Sequence, residues 1–241
     1  MKKTLQKSPN IILRGIRFLL FSSLVLNIIV SILILFGNNF DFNVLFDDEA
    51  ILRYELFLLA LATLVLTYLP SYAKKHKIID LPDIIEAVIV LFIFAGIYLS
   101  ANLDLYYKYF WWDDVLHTLA GVIIAVVGFL LIYKLNYKYR ASLSPFMVAI
   151  FTFSFALSMG VLWEILEFMS DVFFVTAHQK WDLPDSTILM GKPYQGSGLR
   201  DTMSDLILTA IGAFVISIFS YFVFKHGDKK LIKKIDKYLS N

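Results

Sequence analysis

Long apolar runs alternate with short polar segments along the whole chain. Most of the six runs are near the roughly 20 residues that an α-helix needs to cross about 30 Å of hydrocarbon. The pattern therefore predicts an all-α membrane bundle of six transmembrane helices, and the length suits one integral membrane domain, residues 1–241. The predicted spans are residues 18–36, 55–72, 84–101, 112–133, 146–171 and 201–224.

The composition independently requires a lipid-facing surface. Hydrophobic residues make up 59% of the chain, charged residues make up 17%, and the mean hydropathy is +0.70. A soluble domain of this length could not bury so much apolar surface. The absence of cysteine excludes disulfides and thiolate-bound metals. The lipid bilayer is the expected partner, and no segment resembles a nucleic-acid-binding module.

Positive and negative charges are separated along the chain, which predicts the orientation of the spans. Most of the 22 lysines and arginines fall in four segments on one predicted side, and most of the 20 acidic residues fall on the other. Basic segments favour the cytoplasmic side, so both termini are predicted to be cytoplasmic. The last basic segment also reads as an amphipathic helix on the inner leaflet, or simply as a topology determinant. The basic segments are residues 1–17, 73–86, 134–144 and 225–241.

Ionisable residues gather at the predicted outer ends of the last three spans. Spacings of three or four place each group on one helix face, and each face continues inward as small residues that permit close packing. Packing these faces together would bring seven carboxylates and one imidazole to one site near the outer leaflet. The small residues are Gly121, Ala125 and Gly128, then Ala156 and Gly160, then Thr209, Ala213 and Ser217. The ionisable residues are Asp113, Asp114 and His117, then Glu164, Glu167 and Asp171, then Asp201 and Asp205.

So many carboxylates in one confined place require bound protons or a bound cation. Carboxylates with a single imidazole suit a divalent metal, namely Zn²⁺, Mn²⁺ or Mg²⁺. Asp113 or Asp171 is then the candidate general base. The predicted metal ligands are Asp114, His117, Glu164, Glu167, Asp201 and Asp205.

Simpler interpretations stand beside the metal site. Asp113 and Asp201 each open a span, where an aspartate often caps a helix, and a single histidine is often structural. The spacing also leaves open whether Asp113 or Asp114 faces the site. The long outer loop, residues 172–200, joins two of the acidic helices and is placed either to cover the site or to be an ordinary surface loop.

Several of these residues together resemble a known family. They are the Asp-Asp-Val-Leu-His run from Asp113 to His117, the Trp-Glu-Ile-Leu-Glu run from Trp163 to Glu167, Gln195-Gly196, the run from Asp201 to Asp205, and Ile211-Gly212-Ala213. In order and spacing they resemble the YjdF-like (DUF2238) bacterial inner-membrane proteins, over about half the chain. The family tends to have tryptophan where this chain has Arg200.

The resemblance implies a multi-pass protein of the bacterial cytoplasmic membrane and supplies no reaction. A more distant similarity is to VanZ-like proteins, which share an Asp-x-x-His, a later acidic helix end and an Asp-x-x-x-Asn pair, with Asp205 here in place of the asparagine. That similarity implies a role in the bacterial envelope, on the outer face of the membrane.

Three functions fit these observations. The first is a metal-dependent hydrolase or transferase acting on a lipid or lipid-linked envelope substrate. The second is an ion- or proton-coupled transporter, for which a three-plus-three inverted repeat is a weak indication. The third is a non-catalytic envelope protein whose acids bind a cation or a partner. The sequence does not decide between enzyme and non-enzyme.

Overall fold

Six helices in the described part of the chain are long and apolar enough to cross a membrane, which confirms the predicted number of spans. The structure is a computed structural model that describes residues 7–37, 48–79, 81–139, 141–174, 176–180, 188–189, 192–193 and 196–226. The spans are Ile11–Ile34, Leu56–Lys75, Asp83–Leu103, Trp112–Tyr139, Pro145–Phe173 and Ser197–His226.

The chain divides into two compact units, Met1–Tyr109 and Phe110–Asn241. The first unit contains α1 (Lys7–Gly37), α2 (Asp48–Lys75) and α3 (Asp83–Ile93), and α3 continues through a π-helical segment, Phe94–Leu99. Two short helices, α4 (Ser100–Leu103) and α5 (Leu105–Lys108), complete it. Asp104 separates these two in the left-handed conformation, with φ of 56°, which interrupts the helix.

A network of paired charges joins the three long helices of the first unit. Arg17 on α1 donates to the Ser71 hydroxyl at 2.7 Å, and Ser71 donates to Oε1 of Glu86 on α3 at 2.5 Å. Lys74 on α2 donates to Oε2 of Glu86 at 2.8 Å and also pairs with Asp83. Because the acids and bases pair with one another, the buried Glu86 side chain is compensated, as an apolar environment requires.

The second unit contains α6 (Trp112–Tyr139), α7 (Pro145–Phe174) and α8 (Ser197–His226). The small residues predicted to face one another do so. Ala125, Ala156 and Ala213, one from each helix, are fully buried in a single cluster. Small side chains let the three backbones come close together, which is the usual way in which helices associate within a bilayer.

Helices α6 and α8 approach most closely where each has a glycine. A methyl group on Gly121 would lie 2.2 Å from the carbonyl oxygen of Thr209, and one on Gly212 would lie 2.3 Å from that of Thr118. Any larger residue at either position would force the helices apart. This contact therefore fixes the separation of α6 and α8 just below their acidic ends.

The connection from α7 to α8 is shorter than the predicted loop, because α7 extends to Phe174 and α8 begins at Ser197. Residues 176–180 form a turn, and β1 (Ile188–Leu189) pairs antiparallel with β2 (Lys192–Pro193). Helix α8 ends at His226. The rest of the predicted amphipathic tail, residues 227–241, lies outside the described residues.

Candidate functional site

The first two turns of α6 place one carboxylate and one imidazole in the interior of the second unit. Asp113 and His117 are four residues apart, so they share a helix face, and each is 8% exposed. Asp114 is turned about 100° from Asp113 around the helix and is exposed. The structure therefore resolves the choice left open by the spacing, because Asp113 faces the other helices and Asp114 does not.

The His117 ring lies between carboxylates from all three helices. Its Nε2 is 3.5 Å from Oδ1 of Asp113 and 3.9 Å from Oδ2 of Asp205 on α8. On the opposite edge of the ring, Nδ1 is 3.9 Å from Oε1 of Glu164 on α7. Three donor atoms, one each from Asp113, His117 and Asp205, lie within 4.8 Å of one another. These three buried residues are therefore a candidate metal-binding group.

The glycine contact positions two members of this group. His117 precedes Gly121 by one turn on α6, and Asp205 precedes Thr209 by one turn on α8. The Thr209 hydroxyl also donates to the backbone carbonyl oxygen of His117 at 3.3 Å. Close packing of the two helices thus holds the imidazole and the Asp205 carboxylate near each other.

Three oxygen atoms of two buried carboxylates accept no hydrogen bond from the residues that the structure describes. Asp205 is 2% exposed, and its Oδ2 accepts no hydrogen bond from the described residues. Glu164 is 5% exposed, and within the same part of the chain neither of its oxygens accepts one. Buried polar atoms are almost always satisfied, and an unsatisfied one costs about 1–3 kcal/mol. Each of these oxygens is therefore free to accept a hydrogen bond or to bind a cation.

Lys180, in the turn that follows α7, supplies a positive charge at the edge of the group. Its Nζ donates to Oδ2 of Asp113 at 2.5 Å and to Oδ1 of Asp201 at 2.7 Å. Burial alone would lower the pKa of the Lys180 ammonium, but the two carboxylates outweigh burial and raise that pKa above its usual value. Lys180 is thus a fixed cation in the site.

The sequence analysis did not identify Lys180 as part of the site. The sequence feature that points to Lys180 is its position in the loop that joins two acidic helices. Loop position does not say which side chain folds inward, so that signal is weak.

Asp171, a candidate general base in the sequence analysis, instead anchors this turn. Its Oδ1 accepts hydrogen bonds from the Thr176 hydroxyl at 2.6 Å and from the His178 amide at 2.8 Å. Its Oδ2 accepts one from the Gln179 amide at 2.9 Å. The three accepted hydrogen bonds use both oxygens of Asp171 and shape the chain that leads to Lys180.

The remaining predicted ligands lie outside the group of three. Glu167 Oε1 accepts a hydrogen bond from Nε1 of Trp163 at 2.7 Å. Asp201 pairs with Lys180, and Asp114 is exposed. Among the six predicted metal ligands, the structure brings His117 and Asp205 together with Asp113, and it places Glu164 against the other edge of the ring.

The fold and this group define a class of protein, a polytopic α-helical membrane protein with a buried acid–histidine cluster at one end of three helices. The family model for predicted membrane proteins designated DUF2238 matches residues 21–226, and the chain belongs to that family. The chain is also similar to an uncharacterized protein of Thermotoga maritima, with 26% identity over 156 residues, which are 63% of this chain and 69% of that protein. No solved structure matches the chain.

Proposed function

We propose that Asp113, His117 and Asp205 hold a divalent metal ion, and that this centre carries out hydrolysis or group transfer on a lipid or lipid-linked headgroup of the bacterial envelope. The observation that carries the proposal is the meeting of donor atoms from three buried residues within 4.8 Å, together with an Asp205 Oδ2 that accepts no hydrogen bond from the described residues. A buried anionic oxygen that accepts no hydrogen bond from the described part of the chain is what a bound cation would satisfy.

The spacing of the donor atoms supports a first-row divalent ion. Ligands on bonds of about 2.1 Å are separated by about 3.4 Å in a tetrahedral site and by about 3.0–4.2 Å in an octahedral one. His117 Nε2 is 3.5 Å from Asp113 Oδ1 and 3.9 Å from Asp205 Oδ2, so both separations are within or close to this range. Two carboxylates and one imidazole suit Zn²⁺, Mn²⁺ or Mg²⁺.

Glu164 fits the role of a residue that orients the imidazole. A histidine that binds a metal through one ring nitrogen usually donates its other N–H to a carboxylate, which fixes the ring. With Nε2 of His117 facing the two aspartates, Nδ1 is left 3.9 Å from Oε1 of Glu164. A small closing movement of α7 would form this hydrogen bond to Glu164, neither of whose oxygens accepts one from the described residues.

Three protein ligands leave coordination positions open, which is typical of catalytic rather than structural metal sites. A metal held there would activate water or polarise a phosphoryl or acyl oxygen. Asp113 is used as a ligand and Asp171 accepts three hydrogen bonds, so Glu167, which accepts one from Trp163, is our candidate to accept a proton. It lies nearly one turn beyond Glu164 on α7, half-buried and held by Trp163.

The position of the centre supports a substrate whose tail stays in lipid. Asp113 is the second residue of α6, and Asp205 lies about two turns into the 30-residue α8, so both are nearer to one end of their helix than to its middle. Large apolar side chains near them, such as Val115, Ile207 and Leu166, are exposed, as lipid-facing residues are. With both termini cytoplasmic, this end of the helices faces the outer leaflet.

The metal centre is tested by metal analysis of the purified protein. We expect one Zn²⁺ or Mn²⁺ per chain, lost in His117→Ala and in Asp205→Asn. Asp114→Asn is the matched control, because it removes a neighbouring but exposed carboxylate and should leave the metal in place. Absence of stoichiometric metal from the wild-type protein, or full retention in both site variants, would refute the metal centre.

The reaction is tested on vesicles that carry phospholipids or lipid-linked wall precursors. The metal-loaded protein should release a headgroup or phosphate, and the chelated protein and Glu167→Gln should not. Bound metal without turnover of either substrate class would favour the non-catalytic interpretation. Proton movement across the vesicle membrane without bound metal would favour the transporter.

A further inference from the structure

The two oxygens of the Asp113 carboxylate face different groups. Its Oδ1 lies 3.5 Å from His117 Nε2, on the side of the candidate metal position, and its Oδ2 accepts a hydrogen bond from Lys180 Nζ at 2.5 Å. A carboxylate that uses one oxygen for each of two cations is the usual bridge in two-metal centres, where the ions are about 3.5–4 Å apart. Lys180 Nζ thus stands where a second metal ion would stand.

We propose that Asp113 and Asp201 form a second cation position, that the Lys180 ammonium fills it, and that Lys180 thereby keeps the centre mononuclear. This inference rests on the proposed metal centre at Asp113, His117 and Asp205. Asp201 Oδ1, 2.7 Å from Lys180 Nζ, is the second ligand of that position.

Lys180 is held in place, unlike an ordinary surface lysine. Three hydrogen bonds to Asp171 fix the turn from Thr176 to Gln179, and Gln179 Nε2 donates to the Thr202 hydroxyl on α8 at 2.7 Å. Lys180 itself has φ of 48°, and its side chain is 23% exposed. The turn therefore directs the ammonium inward against the acidic ends of α6 and α8.

The tethered charge has a defined consequence for metal binding. An ammonium is a compact point charge that neutralises the outer carboxylates without supplying a coordination position. It also repels a divalent ion beside it. A unit charge about 4 Å from a divalent ion, even at the dielectric of water, changes the affinity about thirtyfold. Lys180 should therefore weaken the first metal position while it excludes a second ion.

Mn²⁺ binding to the full-length protein tests the inference, with metal analysis for stoichiometry and electron paramagnetic resonance for spacing. The wild type should bind one Mn²⁺ with the hyperfine pattern of an isolated ion. Lys180→Gln should bind two Mn²⁺, with the signal of an exchange-coupled pair, and should bind the first about thirtyfold more tightly. Lys180→Arg, which keeps the charge, should bind one, as should Lys138→Gln, an exposed lysine at the other end of α6.

Two further variants distinguish the second position from a general effect on stability. Lys180→Met serves if Lys180→Gln fails to fold, and it should also bind two ions. Adding Asp201→Asn to either variant removes a ligand of the second position and should return the count to one.

Retention of one Mn²⁺ in both Lys180→Gln and Lys180→Met, with unchanged affinity, would overturn the inference and leave the proposed centre intact. Failure of the wild type and all variants to bind Mn²⁺, Zn²⁺ or Mg²⁺ would overturn the centre and the inference together.

Discussion

Replacing Asp205 by asparagine should stabilise the metal-free protein and abolish the stabilisation that metal provides. Asp205 is 2% exposed, and its Oδ2 accepts no hydrogen bond from the described residues. An asparagine amide in its place can donate a hydrogen bond to a neighbouring carboxylate. The His117 ring still faces Asp113 and Glu164, so it is not left without an acidic neighbour.

The magnitude follows from the cost of an unsatisfied buried oxygen. Removing a penalty of about 1 kcal/mol should raise the Tm in chelator by about 2–4 °C for a chain of this size. In the wild type, a metal concentration one hundred times its Kd should contribute about 2.7 kcal/mol to the free energy of unfolding. That free energy corresponds to a rise in Tm of roughly 5–10 °C. Asp205→Asn should show little of this rise, because it lacks one of the metal ligands.

Thermal unfolding in detergent, followed by circular dichroism with chelator and with added Mn²⁺, measures both effects. Asp205→Asn should have the higher Tm in chelator, and the wild type should have the higher Tm with Mn²⁺. Asp114→Asn, an exposed neighbour, should behave as the wild type in both. Equal Mn²⁺-induced shifts in the wild type and Asp205→Asn would refute the reasoning, as would a lower Tm of the variant in chelator.

Two other predictions concern packing and charge. Gly212→Ala would place a methyl group 2.3 Å from the carbonyl oxygen of Thr118 and should lower the free energy of unfolding by about 1–3 kcal/mol. Gly15→Ala is the control, because nothing lies within 4 Å of its new methyl group, and it should leave stability unchanged. The unfolding midpoints of the two variants and the wild type measure the difference. Because the pKa of Lys180 is raised in the folded protein, its ion pair should stabilise the fold fully below about pH 10.4, the unfolded value, and less as pH rises through the folded value. The Tm difference between the wild type and Lys180→Gln should therefore be constant from neutral pH to about pH 10 and should shrink above pH 10. A Tm difference that instead shrinks between neutral pH and about pH 6 would contradict this prediction.

The sequence alone determined the architecture, because the bilayer imposes simple rules on it. A span needs about 20 apolar residues and an internally bonded backbone, so the six helices could be counted without a structure. The small residues at spacings of three or four also predicted which faces of the last three helices meet. Ala125, Ala156 and Ala213 do lie together, each fully buried.

The tertiary structure decided which charged groups share the site. Asp113 and Asp114 are adjacent in sequence, and only the rotation of α6 against its neighbours, set at the Gly121 contact, determines which one points inward. Lys180 is 67 residues from Asp113 along the chain, so no local pattern connects them. Periodicity identifies the face on which a residue lies, but helix rotation and loop folding set the distances between side chains, and those distances select the ligands.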